Sequence, residues 1–187
     1  MSEEANKIIA DAGSRMDKSL NDLSHQMAQI RSGRATPSLV EDIRVEIYGQ
    51  NMPLNQVASI NAPEPRLITV DVWDKSQLQA VEKAIQKSGK GFNPNTDGVM
   101  IRINLAEMNG ETRKEMVKLA KSKVEDHKVA VRNIRRDAND ALKKLKGGSV
   151  SEDMIKGFSD QVQKLTDDHI KKMDDLFASK EKDIMTV

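Results

Sequence analysis

Residues 112–145 read TRKEMVKLAKSKVEDHKVAVRNIRRDANDALKKL. Within them Val117, Ala120, Val124, His127, Val131, Ile134, Ala138, Ala141 and Leu145 follow one another at alternating steps of three and four. That spacing lines them along one face of an α-helix, which returns to the same side every ~3.6 residues. No proline interrupts the run, and Thr112 with Glu115 has the spacing of a capping box at its start. At about 1.5 Å per residue such a helix is about 50 Å long, too long for a compact ball and suited to a bundle.

Two further seams complete the bundle. Upstream, Ile9, Met16, Leu20, Leu23, Met27 and Ile30 recur at helical steps. Downstream, Ile155, Phe158, Val162, Leu165, His169, Met173, Leu176 and Ile184 do the same. Gly147 and Gly148 can end the middle helix, and Ser149 with Glu152 has capping-box spacing for the next, so these two helices are expected to form an antiparallel hairpin.

Between the first and second seams the period changes from helical to alternating. Ile43, Val45 and Ile47 alternate with Arg44, Glu46 and Tyr48; Ile68, Val70 and Val72 alternate with Thr69 and Asp71; Val99, Ile101, Ile103 and Leu105 repeat the pattern. Alternation marks half-buried strands. Ser76 with Gln79, then Leu78, Val81 and Ile85, then Gly89, reads as a short capped helix. All five prolines fall in this region or at its entry. The expected fold is therefore α+β: an elongated antiparallel three-helix bundle of residues 1–30 plus 105–187, with a small β/α domain of residues 31–104 inserted in it.

The chain enters and leaves the insertion once each, and the two crossings are expected to make a hinge, with a rigid elbow as the alternative reading. The entry runs through Arg31, Ser32, Gly33, Arg34, Ala35, Thr36 and Pro37, combining a permissive glycine with a stiff proline; the exit is Asn104, Leu105, Ala106 and Glu107, on to Gly110.

Composition narrows the function. Hydrophobic residues make up 37% of the 187 and charged residues 32%, and no run approaches the roughly 20 apolar residues of a membrane span. The first residues lack the basic-then-apolar order of a signal peptide, so a cytoplasmic protein without membrane contact is expected. With no cysteine, disulfides, thiolate metal sites and thiol nucleophiles are excluded. Catalysis needs convergent groups, and no nucleophile, base or metal box has a recognisable spacing. His127 and His169 occupy seam positions and read as core histidines, while His25 reads as isolated. Asp167, Asp168 and His169 point about 100° apart on a helix and cannot converge on one ion. The segment Gly89, Lys90, Gly91 lacks phosphate-loop order and reads as turn chemistry. Neither cofactor nor metal is expected, and Met16, Met27, Met116, Met154 and Met173 are assigned to packing.

Charge is the informative property. Residues 111–147 carry 12 basic and 6 acidic side chains, whereas residues 151–187 carry 6 and 9, so the basic excess of a nearly neutral chain sits in one helix. There Lys114, Lys118, Lys121, Lys128, Arg132 and Arg135 recur at helical spacing beside the core seam, interrupted only by Glu125 and widened by Arg136. Guanidinium groups grip phosphate oxygens in pairs, so a phosphodiester backbone is the natural ligand. If about six phosphates were met, affinity would fall by roughly three powers of ten between 50 and 200 mM salt. Aromatics are only 3%, and Tyr48, Trp73, Phe92, Phe158 and Phe177 form no stacking platform, so recognition should be by shape and charge.

Two stretches carry a resemblance. Residues 30–39, IRSGRATPSL, and 131–140, VRNIRRDAND, closely resemble the bacterial ribosome recycling factor family. Tyr48–Gly49, Pro53–Leu54, Gln56 to Ser59, Val81 to Ile85, Asn93 to Asn95 and Val162 to Asp167 extend the likeness over nearly the whole chain. The resemblance implies an L-shaped, tRNA-like protein that binds the post-termination ribosome. With elongation factor G, and GTP hydrolysed by that partner, it would split the ribosome into subunits and release mRNA and tRNA; the factor itself is not an enzyme. It implies that the helical domain lies on large-subunit ribosomal RNA, with Arg132 matching the family's functional arginine. Arg31, Arg34, Lys121, Lys128, Arg135 and Arg136 are carried over with it as RNA contacts, and Ser32, Gly33, Ala35, Thr36, Pro37, Asn104, Leu105, Ala106 and Glu107 as the hinge. A monomer is expected. Where the family has a proline-rich return, this chain has Ala106, Glu107, Met108, Asn109 and Gly110, which predicts a looser exit crossing. The rival readings are a helical adaptor or co-chaperone whose cations bind an acidic protein partner, and a weak hydrolase built on the histidines.

Overall fold

The computed structural model describes residues 2–148 and 150–186. Four helices and six strands follow in the order α1 (Glu3–Gln29), β1 (Arg44–Ile47), β2 (Gln50–Pro53), β3 (Ala58–Glu64), β4 (Leu67–Val72), α2 (Leu78–Lys87), β5 (Pro94–Asp97), β6 (Met100–Asn104), α3 (Gly110–Lys143) and α4 (Glu152–Met185). The chain is α+β, with two compact units: residues 1–27 with 117–182, and residues 28–116 with 183–187.

The helical unit is built from α1, α3 and α4. Each begins on a side-chain oxygen that accepts the N–H three residues on: Ser2 from Ala5 at 3.2 Å, Asn109 from Thr112 at 2.8 Å, and Ser151 from Met154 at 3.3 Å. Acidic residues fill the first turns (Glu3 and Glu4; Glu111; Glu152 and Asp153), where the helix dipole favours negative charge. The cap of α3 is thus Asn109 and not Thr112: Asn caps at least as well as Thr, and from one turn earlier it draws Gly110 and Glu111 into the helix. Ser149, the expected cap of α4, lies outside the described residues.

Cross-helix pairs fix the directions. Arg15 meets Asp137 and Asp22 meets His127, so numbers fall on α3 as they rise on α1 and the two are antiparallel. Arg135–Gln163 and Lys128–Asp174 make α3 and α4 antiparallel in the same way. Ala12, Met16 and Leu23 of α1, Ala120, Val124, Val131, Ile134, Ala138 and Leu142 of α3, and Val162 and Met173 of α4 are buried. Near its end the α3 seam passes through Leu142, while Ala141 and Leu145 are only half-buried. The reason is the drift of a straight helix away from a strict seven-residue repeat.

In the other unit, β3-β4-β6-β5 form an antiparallel sheet and β1-β2 a separate hairpin. Three strands, β2, β3 and β5, lie where alternation is broken: β2 and β3 end on or contain prolines, and β5 is the polar run PNTD. Val99 belongs to the β5–β6 turn, 57% exposed, and not to the strand that follows. The core joins Val45 and Ile47 of β1, Ile68, Val70 and Val72 of β4, Ile101 and Ile103 of β6, and Val81 and Ile85 of α2. Asp74, and not Ser76, starts the helical segment that leads into α2: its Oδ1 accepts from the Ser76 N–H at 3.0 Å. Gly89 and Gly91 both take positive φ, as their turn requires.

Candidate nucleic-acid interface

Along α3 the basic side chains fall into two groups. Lys114, Lys118, Lys121, Arg132 and Arg136 are exposed, and no acidic partner within reach neutralises them among the described residues. Lys128 and Arg135 are held. The Lys128 ammonium is only 13% exposed and pairs with Asp174 on α4 and with Glu125 one turn back at 3.6 Å. Arg135 donates from Nη1 to Gln163 Oε1 at 2.7 Å, and its Nε is buried without a partner among the described residues. The predicted stripe therefore consists of open cations in two groups on one flank of α3, Lys118 and Lys121 with Lys114 before them and then Arg132 and Arg136, and two cations that tie α3 to α4. Glu125, which pairs with Lys128 at 3.6 Å, lies between the two groups.

The histidines are structural clamps. His127 Nδ1 lies 2.8 Å from the carbonyl of Lys123 and its Nε2 2.9 Å from Asp22 Oδ2; His169 Nδ1 lies 2.6 Å from the carbonyl of Leu165 and its Nε2 2.6 Å from Asp17 Oδ1. Each ring joins its own helix to a carboxylate of α1, which uses both nitrogens. Of the five methionines assigned to packing, Met16, Met27 and Met173 are buried and Met116 is half-buried, whereas Met154 is exposed.

Arg31 and Arg34 lie in the sheet-bearing unit and form a cluster of their own with Arg66 and Arg113 around a cavity of about 390 Å³. Arg31 is half-buried and donates to the Ala106 carbonyl; burial pushes its guanidinium below its ordinary pKa. Arg34 is exposed. Arg66 pairs with Glu107 at 3.0 Å.

The nine expected hinge residues are all in this unit. The Ala35 N–H donates to Pro65 O at 2.7 Å, the Leu105 N–H to Arg66 O at 2.8 Å, and a Cβ on Gly33 would stand 2.8 Å from the Thr186 carbonyl oxygen. Pro37 opens a short 3-10 turn through Leu39; Thr36 and Asn104 are exposed, and Ser32 is half-buried. At the exit, Ala106 accepts from Arg31, Glu107 pairs with Arg66, Met108 is buried and Asn109 caps α3.

One residue here escaped the sequence reading. Arg113 donates from Nη1 to the carbonyls of Ile184 at 2.7 Å and Thr186 at 3.0 Å, which caps the C-terminal end of α4. Its signal was present: Arg113 continues the step of four back from Val117, which puts a cation in core register.

Exposed cations on a long helix, a helical unit with a sheet-bearing unit between its segments, and histidines that clamp helices define a class: an α+β protein with a basic helical flank. The family model described as "Ribosome recycling factor" matches residues 23–185. Relatives named ribosome-recycling factor are similar over nearly the whole chain: that of Methylobacterium sp. (strain 4-46) is 51% identical over 180 residues, covering 96% of each chain. That of Geobacillus sp. (strain WCH70) is 50% identical over 182 residues, covering 97% of this chain and 98% of its own. A solution structure of the ribosome recycling factor superposes over 100% of both chains with a TM-score of 0.80 at 37% identity. A Thermus thermophilus ribosome recycling factor, described with Escherichia coli elongation factor G bound to the post-termination complex, matches 97% of this chain and 99% of its own, with a TM-score of 0.68 at 42% identity. The chain belongs to the ribosome recycling factor family.

Proposed function

We propose that this protein binds the post-termination ribosome and, with elongation factor G and GTP hydrolysed by that partner, separates the subunits so that mRNA and tRNA are released. It acts as a monomer in the cytoplasm; no helix of the described residues is long and apolar enough to cross a membrane. The observation that carries this reading, beside the family, is the open row Lys114, Lys118, Lys121, Arg132 and Arg136 on α3. Cations without internal partners keep their charge available for phosphate, and releasing the counterions that phosphate had held drives association. The bundle, residues 1–30 plus 105–187, is the RNA-binding domain, and the insertion of residues 31–104 takes the push of the translocase.

Within the carried-over set, Arg132 and Arg136 are direct phosphate contacts, Lys121 extends the row, and Arg31 and Arg34 add cations at the entry crossing. Lys128 and Arg135 hold α3 against α4 and act on RNA only through its placement. The hinge residues Ser32, Gly33, Ala35, Thr36, Pro37, Asn104, Leu105, Ala106 and Glu107 carry the motion between binding and force. The test is subunit splitting followed by light scattering. Scattering should fall with protein, translocase and GTP together, and stay level when any one is omitted; a fall without this protein, or none with all three, rejects the reading.

A further inference from the structure

The sheet-bearing unit carries a second basic surface. A groove of about 660 Å³ runs between the β1–β2 hairpin and α2, with Lys83, Lys87 and Lys90 on one side and Asp42, Arg44 and Glu46 on the other. Ile43, Ala80 and Ala84 are its apolar lining. One of these cations is internally satisfied: the Lys90 ammonium donates to the Leu39 carbonyl at 2.9 Å and to Asp42 at 3.1 Å, which also occupies that acid. Arg44, Lys83 and Lys87 are exposed, and no hydrogen bond or ion pair joins them to the protein among the described residues. Lys83 and Lys87 are one turn apart and so share a flank of α2. Three free cations and one free acid, Glu46, thus line one concave surface among the described residues.

We propose that this groove binds the phosphodiester backbone of RNA as a second anchor, separate from α3. The lining favours RNA over an acidic protein. Protein interfaces draw most of their energy from large buried anchors, chiefly Trp, Tyr and Arg set in well-packed pockets. This groove is lined by no aromatic, and its apolar lining is only Ile43, Ala80 and Ala84, although the same unit exposes Tyr48 and Trp73 elsewhere. A sugar-phosphate backbone contacted apart from its bases needs a concave surface and cations whose charge is not taken up inside the protein, and the groove offers both. The choice of RNA as the polyanion rests on the proposed ribosomal role; the existence of the groove and its unpaired charge does not.

The experiment uses full-length protein on vacant ribosomes, with a photo-reactive phenylalanine analogue placed at Asn51, an exposed residue of the groove, or at Val129, exposed on the flank of α3. Both probes should attach to ribosomal RNA, and the variant Arg44→Gln/Lys83→Gln/Lys87→Gln should lose the Asn51 adduct while keeping the one from Val129. Because these three side chains hold nothing inside the protein, the variant should unfold like the parent. Its plot of log affinity against log salt should be shallower by about two, for three phosphates at roughly 0.7 each. If the Asn51 probe labels only protein, or labels nothing, while Val129 labels RNA, the groove proposal is overturned and the recycling reading stands. If neither probe reaches RNA, both are overturned.

Discussion

Lys128 and Arg132 stand one turn apart on α3 and have opposite surroundings: Lys128 is enclosed by Asp174 and Glu125, and Arg132 faces solvent unpaired. Periodicity put both on one flank but could not say which would find an acid on a neighbouring helix, because that depends on how α4 packs. The two should respond differently to neutralisation. Lys128→Gln is expected to cost about 0.5–1 kcal/mol of stability in urea titration, since its acids are half exposed, and to leave the salt dependence of ribosome binding unchanged. Arg132→Gln is expected to leave stability unchanged and to lower the salt slope by about one. Tyr48 gives a second test. It takes φ +50 in the β1–β2 turn, a strained choice for a residue that is not glycine, and its hydroxyl donates to Asp74 Oδ2 at 2.8 Å. Hydrogen bonds from Ser76 first, and then Tyr48, hold the Asp74 carboxyl below its ordinary pKa. A depressed carboxylate stabilises the fold fully above its ordinary value, and that contribution disappears as pH falls through the lower, folded-state value. Tyr48→Phe should raise the Asp74 titration midpoint, read by NMR, and move the acid loss of stability to higher pH.

At the level of elements, the three long helices were legible because seams of this length have few alternative readings, and the strands rich in Ile and Val were legible by alternation. What was missed had a local cause. β5, with the sequence PNTD, has no apolar alternation and forms because β6 offers it an edge from Met100 to Ile103. Two caps were displaced for a different reason: Asn109 and Asp74 compete with Thr112 and Ser76, and a box pattern does not rank neighbouring oxygens. Leu23→Ala, at a site with no exposure, should cost about 2–5 kcal/mol, while the half-buried Leu20→Ala should cost less than half as much by the same denaturation assay. At the entry crossing, Gly33→Ala would press a methyl against the Thr186 carbonyl and should cost about 1–3 kcal/mol, with Ser32→Ala as the control that stays near zero.

For the molecule as a whole, the uneven distribution of charge along the chain is what bears on function. A net charge of +1 conceals a basic α3 beside a more acidic α4, and α4 uses part of that acidity to hold Lys128 while leaving the outer row unopposed. The row was legible from spacing alone; the RNA ligand came from the resemblance, and the basic groove on the inserted unit came only from folding, which sets β1 beside α2. The most direct measurement is the affinity for vacant ribosomes of Arg132→Glu/Arg136→Glu, beside Lys164→Glu/Lys171→Glu on the exposed face of α4, which changes net charge equally. Reversal on α3 should weaken binding by roughly a hundredfold at low salt and flatten its salt dependence, with the α4 variant staying within about twofold of the parent. Equal losses in the two variants, or no loss on α3, would contradict the claim that this row is the protein's anchor on RNA.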